Sequence, residues 1–578
     1  MSENASRRSA FELFRLILRP ERRFYVLMLV YGIALSALSL SVPLSVQVLI
    51  GTVVNAALVN QVIVLALVLL GLLALSGLFA AVQAYLMELF QRRFFSRIVS
   101  EVALRLIYAE PTHMESINRD ELVNRYFDIM TVQKSLPPLL TSGLATALQT
   151  IVGIAVTSFY HPLFILFNVV VVLTAYLVFR LFDPGAARSS IDVSTAKYDT
   201  ANWLETLSRS NSFFKSRRTI DYAFARTAQV RAAYVQEHRR HFHFTFAQIV
   251  GFLLLYALAS AALLGFGGWL TIIGQLTIGQ LVAAELILTA IFYGLTRMGY
   301  YLKLYYDLYA AMAKLLHLYV LPPETPREDR IDDDWEPEIR FEHVTCTLPS
   351  GPFELDLTLP PCSLIQMATR SSTQIKAITD LLLGNRRPDS GRVLLGPHEV
   401  EDFNLHHLRD RVLFIDATPL PECSIAEFLD IAEPGITRAR MRELLAVVGL
   451  YSEMGTVDGL LDQPLTPYGH PLSVAGVIKL KTAFALAARP ALLVLGPAFD
   501  MLSREARRGT LTHLRETREM TVLCFSHRHD LPVFDQYVLC DFTRQEAFDD
   551  IDTMFRASDG IVSTEAARTD ERPPEHTP

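Results

Sequence analysis

The chain has 578 residues, too many for a single compact domain. Hydrophobic residues make up 51% and charged residues 20%, and a mean hydropathy of +0.28 points toward a membrane protein. A net charge of -7 gives no electrostatic reason for nucleic-acid binding. The five cysteines (Cys346, Cys362, Cys423, Cys524 and Cys540) all lie in the second half, without metal-ligand spacing. They suit buried thiols in a reducing compartment rather than disulfides or ligands.

Segment 1–23 carries six arginines and lacks the apolar run and cleavage site of a signal peptide. It is expected to be cytoplasmic, with no peptidase domain ahead of the first span. From 24 to 87, from 135 to 179 and from 244 to 284 the chain has no Asp, Glu, Lys or Arg. A spanning helix needs roughly 20 apolar residues to cross about 30 Å of hydrocarbon. The first stretch therefore fits two spans around a turn near 51–60, the second two around His161-Pro162, and the third one span plus the start of another, turning near Gly274. Six helices follow, at roughly 24–50, 62–90, 135–159, 162–182, 245–272 and 277–300. Segment 88–134 carries seven Lys or Arg and segment 184–243 carries ten, whereas the intervening turns carry none. The positive-inside rule then puts both termini and both basic segments in the cytoplasm.

The helical pattern runs on from 297 to 321, where Pro322-Pro323 is expected to end it. The basic segments read as helix extensions, each with a short irregular piece, at 110–119 and 209–218. Glu285 lies about two turns into the sixth helix. A carboxylate there either faces a cavity or partner or reaches the outer interface. The tyrosine-rich run 297–319 reads as packing and interfacial anchoring. The tail, polar from about Asp550 and Pro-rich at its end (RTDERPPEHTP), is expected to be disordered over 546–578.

Several runs resemble ABC exporters, especially the branch with type 1 secretion half-transporters. In the first half they are SLSVPLSVQVLIGTVVN and TIIGQLTIGQLVAAELIL. In the second they are IRFEHVTCTL, SLIQMATRSSTQIKAITDLLLGNRRPDSGRVLLG, LRDRVLFIDATP, PLSVAGVIKLKTAFALAARPALLVLGPAFDMLS and TVLCFSHR. The resemblance covers about 11–545. It implies a six-helix exporter-type membrane domain at 24–323, an α/β ABC ATPase-like domain at 324–545, and a tail from 546 to 578. It also implies that 110–119 and 209–218 hold the coupling helices that rest on such domains.

The resemblance implies ATP chemistry, and the residues for it are missing. A phosphate loop needs glycines, a lysine on the β/γ-phosphates and a hydroxyl on Mg²⁺. In register with LLLG at 381–384, the glycine positions hold Thr369, Ser372 and Gln374, the lysine position Ile375, and the Ser/Thr pair Lys376 and Ala377. The Mg²⁺ ligand and general-base positions after the strand at 491–495 hold Gly496 and Pro497, with Asp500 read as a loop or helix-capping residue. The LSGGQ signature reads Leu472-Ser473-Val474-Ala475-Gly476. There Ser473 either touches phosphate or caps a helix. The glutamine position falls near Ala417 and the adenine-stacking aromatic near Leu348. His527 keeps the switch-histidine position.

Phosphoryl transfer depends on positioning and charge neutralisation, so losses this numerous leave no expectation of hydrolysis, of bound ATP or magnesium, or of any other metal. The apolar replacements Ile375, Ala377, Val474, Ala475, Val477 and Ile478 either pack across a nucleotide-free dimer interface or pack within their own domain. Three functions follow: a structural or regulatory subunit of a membrane export or envelope complex, the passive half of a heterodimeric exporter, or an atypical ATP-driven exporter. Expected partners are the lipid bilayer, a second half-transporter (identical or not), and a periplasmic adaptor or outer-membrane protein. The expected location is a bacterial inner membrane.

Overall fold

The computed structural model describes residues 19–55, 59–111, 126–319, 321–324, 337–451, 461–528 and 530–554, together with 15, 17, 459, 556 and 557. The chain divides into two compact units, Met1–Glu324 and Thr325–Pro578. Most of the N-terminal segment and of the irregular piece at 110–119 lies outside the described residues.

The first unit is helical: α1 Arg22–Leu38, α2 Ser41–Asn55, α3 Val59–Ile107, α4 Tyr126–Pro138, α5 Leu144–Tyr160, α6 Pro162–Arg209, α7 Arg217–Ile272, α8 Ile278–Thr296 and α9 Met298–Tyr319. Among the described residues, five segments are long and apolar enough to cross a membrane: Arg19–Gly51, Val59–Ile107, Phe127–Tyr160, Pro162–Arg209 and Arg217–Ile272. The shorter α8 is the sixth apolar helix. At 1.5 Å per residue, the 48 residues of α6 and 56 of α7 reach about 72 and 84 Å. That is more than twice the hydrocarbon thickness, so their basic halves extend beyond it.

The breaks between helices follow from local chemistry. His161 is extended and its ring accepts the Leu163 N–H, while Pro162 opens α6 where its missing N–H costs nothing. Gly274 adopts φ +75° in the turn before α8, a conformation open to glycine. Ser216 and Thr219 form a capping box that starts α7 at Arg217, within the irregular piece expected at 209–218, which also holds a 3₁₀ turn, Phe213–Lys215. Pro137 and Pro138 remove two donors, and a π-turn, Leu139–Gly143, follows, with the Thr141 hydroxyl on the Pro137 carbonyl (2.9 Å).

Past α9, Pro322–Glu324 pairs back on Tyr108–Glu110. Glu110 N–H donates to the Pro322 carbonyl (3.1 Å) and Glu324 N–H to that of Tyr108 (2.8 Å). Two buried polar clusters tie the membrane helices. Asn168 donates to the Thr157 and Ser158 hydroxyls, both at 3.0 Å, joining α5 to α6. Gln248 donates to the Tyr306 hydroxyl (2.9 Å), which lies 3.4 Å from Asp183, joining α7, α9 and α6.

The second unit is α/β. Its strands are β1 Ile339–Leu348, β2 Gly351–Leu359, β3 Leu364–Thr369, β4 Ser390–Leu395, β5 His398–Glu399, β6 Val412–Ile415, β7 Leu492–Leu495, β8 Thr521–Phe525, β9 Gln536–Cys540 and β10 Gln545–Phe548. Its helices are α10 Ser372–Leu382, α11 Leu405–Arg411, α12 Ile425–Ala432, α13 Arg438–Val447, α14 Val474–Ala488 and α15 Arg504–Thr517. One sheet runs β2-β1-β4-β5 and is antiparallel. The other runs β10-β9-β3-β8-β7-β6 and is parallel except for β10. Parallel strands buried on both faces read as continuous apolar runs, and Leu492–Leu495 is wholly enclosed.

The expected disorder from 546 is corrected for the first residues of that segment. β10 pairs with β9, and Ile551 and Met554 pack under it at 6% and 0% exposure. Apolar side chains inside a polar stretch hold it to the sheet edge. Residues 558–578 lie outside the described residues.

Candidate nucleotide site and its replacements

β3 is buried throughout and ends at Thr369, and α10 begins at Ser372, so only Arg370 and Ser371 link strand to helix. Ser371 and Gln374 form a capping box. The Gln374 side-chain oxygen accepts the N–H groups of Arg370 (2.9 Å) and Ser371 (3.1 Å), and the Ser371 hydroxyl accepts that of Thr373 (3.1 Å). Gln374 is fully enclosed. Three backbone donors of this turn, those of Arg370, Ser371 and Thr373, are thus used by its own side chains.

The positions for lysine and hydroxyl diverge. Ile375 and Ala377 face the core between the sheets, at 8% and 2% exposure. Lys376 pairs with Asp380 one turn on (2.6 Å), and Arg370 with Asp541 (3.2 Å).

At the end of β7 the Gly496 N–H donates to the Ile415 carbonyl (2.8 Å). A Cβ on Gly496 would stand 2.9 Å from that carbonyl oxygen and 3.1 Å from the Phe414 ring. Pro497 opens a 3₁₀ turn, Pro497–Met501. Asp500 does not cap α15; Ser503 does, accepting the Ala506 N–H (3.2 Å). Instead the Asp500 carboxylate, at 2.8 and 2.9 Å, accepts the Ser526 hydroxyl, 3.8 Å from Arg507. Burial pushes the Asp500 carboxyl above its ordinary range, against the Ser526 hydrogen bond and the Arg507 charge. Asp530, chelated by Arg507, is held below it by those bonds.

At the signature position the Ser473 hydroxyl accepts the Gly476 N–H (3.0 Å) and caps α14. Leu472 and Gly476 are buried, Ala475 packs against the core, and Val474 is 52% exposed. Four of the six apolar replacements, Ile375, Ala377, Val477 and Ile478, are buried inside their own unit. The idea that these four pack across a dimer interface is corrected: their side chains fill the domain's own core. His527 is exposed just past β8, Leu348 is buried, and Ala417 is exposed in the loop after β6.

Sequence reasoning missed Lys481, on the inner face of α14. Its ammonium donates to the Asp416 and Thr418 carbonyls (3.0 and 2.7 Å) and to the Thr418 hydroxyl (2.7 Å). Two lysines, Lys479 and Lys481, stand in that mostly apolar helical run, and nothing in the sequence singles out Lys481. The first unit holds a cavity of about 550 Å³ where α4, α6, α7 and α9 meet, lined among others by Lys197, His241, Lys303 and Asp307. Glu285 does not line it. That residue is partly buried on α8, one of its oxygens enclosed without a hydrogen bond among the described residues.

No family model matches the sequence. The chain is similar to the ABC multidrug transporter mdr2 of Aspergillus fumigatus, 23% identical over 91% of this chain and 69% of that protein. It is also similar to the mitochondrial ATP-binding cassette sub-family B member 10 of Mus musculus, 23% identical over 77% of this chain and 64% of that one. With the alpha-hemolysin translocation ATP-binding protein HlyB of Escherichia coli O157:H7 it shares 20% identity over 75% of this chain and 63% of that one. The matches therefore span about two thirds of these relatives' own length. A solved structure of a bacterial Atm1-family ABC exporter with ATP bound superimposes with TM-score 0.77 at 18% identity, over 96% of this chain and 99% of that one. The chain is an integral membrane protein with the fold of an ABC exporter half-transporter, a helical membrane part followed by an α/β nucleotide-binding-type part.

Proposed function

We propose that this chain is an ABC-exporter-like membrane subunit whose α/β domain neither binds nor hydrolyses ATP, acting as a structural or regulatory part of an export or envelope complex. One observation carries the reading: three amides of the turn that would cradle a triphosphate, those of Arg370, Ser371 and Thr373, are bonded to Gln374 and Ser371. Three further features support it. Ile375 offers no charge to phosphate, Gly496 and Pro497 offer no ligand to magnesium, and Phe414 crowds the space a carboxylate at 496 would need. The residues present do not fit Mg-ATP, and no chemical step is assigned to it.

The subunit works as a dimer, with itself or with another half-transporter, in a bacterial inner membrane with both termini cytoplasmic. The charge asymmetry supports this orientation. A competent partner's ATP would meet Val474 and Ala475 in place of two signature glycines, which favours a non-hydrolysing role over the passive half of an ATP-driven pair.

The test is equilibrium binding of Mg-ATP to the purified full-length protein in nanodiscs, beside an intact ABC exporter. The expected result is no saturation in the micromolar range. Micromolar binding, or turnover lost on Lys376→Ala, would overturn the proposal.

A further inference from the structure

We propose that Lys481 is an ionic clamp fixing the helical layer α12–α14 to the parallel sheet, so that the domain holds one conformation with or without nucleotide. The loop at 416–420 leads from β6 into that layer, and Lys481 grips it from α14, two turns past the helix start. Its three N–H donors match the three acceptors there, and the Asp416 carboxylate stands 3.7 Å away. The loop is shaped to receive it. Asp416 accepts the Thr418 N–H (2.9 Å), turning both carbonyls toward the ammonium, and the Leu420 N–H donates to the Pro467 carbonyl (3.0 Å).

Rotation of one layer against another is absorbed by a few residues in the connecting loop. Three charge-assisted bonds on that loop oppose the change. The Lys481 side chain is only 12% exposed, and a charge so enclosed is costly unless satisfied, which sets it apart from a solvated surface lysine. The neighbouring Lys479 acts within the layer, donating to the Gly449 carbonyl past α13 (3.0 Å). Lys481 acts between the layers.

Hydrogen exchange on the full-length protein in nanodiscs tests the clamp. Lys481→Met keeps the stem and removes the charge. It is expected to speed exchange about tenfold or more in peptides covering 414–424 and 474–484, while β3 and β8 stay unchanged. Lys481→Arg restores most of the protection, and Thr418→Val, at an exposed position, gives an intermediate gain. Wild-type exchange at 414–424 does not respond to Mg-ATP. Wild-type protection in Lys481→Met overturns the clamp. So does loosening of the whole sheet in Lys481→Met with no change in Thr418→Val, because Lys481 would then serve core packing alone. Mg-ATP that binds without altering exchange ends the non-binding reading and leaves the clamp standing; Mg-ATP that alters wild-type exchange at 414–424 ends the clamp.

Discussion

Ser371 and Gln374 cap one another: the Gln374 carbonyl oxygen takes the Ser371 N–H at 3.1 Å, and the Ser371 hydroxyl caps the first turn of α10. The same glutamine oxygen holds the Arg370 N–H. Three backbone donors of this strand-to-helix turn, those of Arg370, Ser371 and Thr373, are thereby held by its own side chains. Gln374→Ala leaves two backbone donors of this turn without their acceptor. It should cost about 1–3 kcal/mol of domain stability and confer no nucleotide binding. Denaturant unfolding with a fluorescent ATP analogue checks both halves, and a variant that gained affinity would show the turn still poised for phosphate.

Gly496→Asp, which restores a carboxylate, should destabilise rather than rescue. The new Cβ meets the Ile415 carbonyl oxygen at 2.9 Å and the Phe414 ring at 3.1 Å, and overpacking of this kind costs about 1–3 kcal/mol. Phe414→Ala in the same chain should relieve part of the clash, so the two changes couple in a double-mutant cycle of unfolding free energies. Strict additivity would place Phe414 outside the conflict.

Much of this architecture was legible in the sequence, and particular residues show why. Charge-free stretches mark membrane helices because a buried charge in hydrocarbon is costly, and breaks are marked by Pro162, whose ring fixes φ and removes a donor, and by Gly274, which alone enters the positive-φ turn freely. The Ser371-x-x-Gln374 capping box was also readable, yet in the exporter frame Gln374 registered only as a missing glycine. Lys481 was not readable, since its acceptors lie more than 60 residues away and only tertiary packing brings them together. The same holds for Ile375 and Val477, whose side chains the sequence could not assign to a core or to an interface. Polar residues hid the edge strand at 545–548, because its anchors, Ile551 and Met554, come after it.

Asp500 gives the domain a pH dependence of definite sign. Its folded carboxyl titrates above the unfolded value, so the folded state pays for ionising it. Its favourable contribution is present below the unfolded pKa and is lost as pH rises through the folded one. Asp500→Asn, which can still accept the Ser526 hydroxyl, should be more stable than wild type at pH 7.5, with the advantage shrinking toward pH 4. Asp530 runs the other way. Its depressed pKa stabilises above the unfolded value and fails as pH falls through the folded one. Thermal unfolding of both Asn variants across that range separates them; an Asp500→Asn protein weaker than wild type at pH 7.5 contradicts the assignment.

In the membrane unit, Asn168 is the residue to change. It is 3% exposed on α6, and its amide donates to Thr157 and Ser158 on α5, binding the two arms of one hairpin. Interhelical hydrogen bonds in hydrocarbon contribute about 0.6 kcal/mol on average and up to about 1.7, because the unfolded helices also find partners. Thr157 and Ser158 keep bonds to the Gly153 and Ile154 carbonyls (2.9 and 2.7 Å), so Asn168→Leu leaves neither hydroxyl stranded. The loss should therefore sit near the lower figure, read as a small shift in unfolding midpoint in mixed micelles. Thr157→Val should lose less, because Asn168 keeps its bond to Ser158, and the double variant little more than Asn168→Leu, which already removes the bond to Thr157.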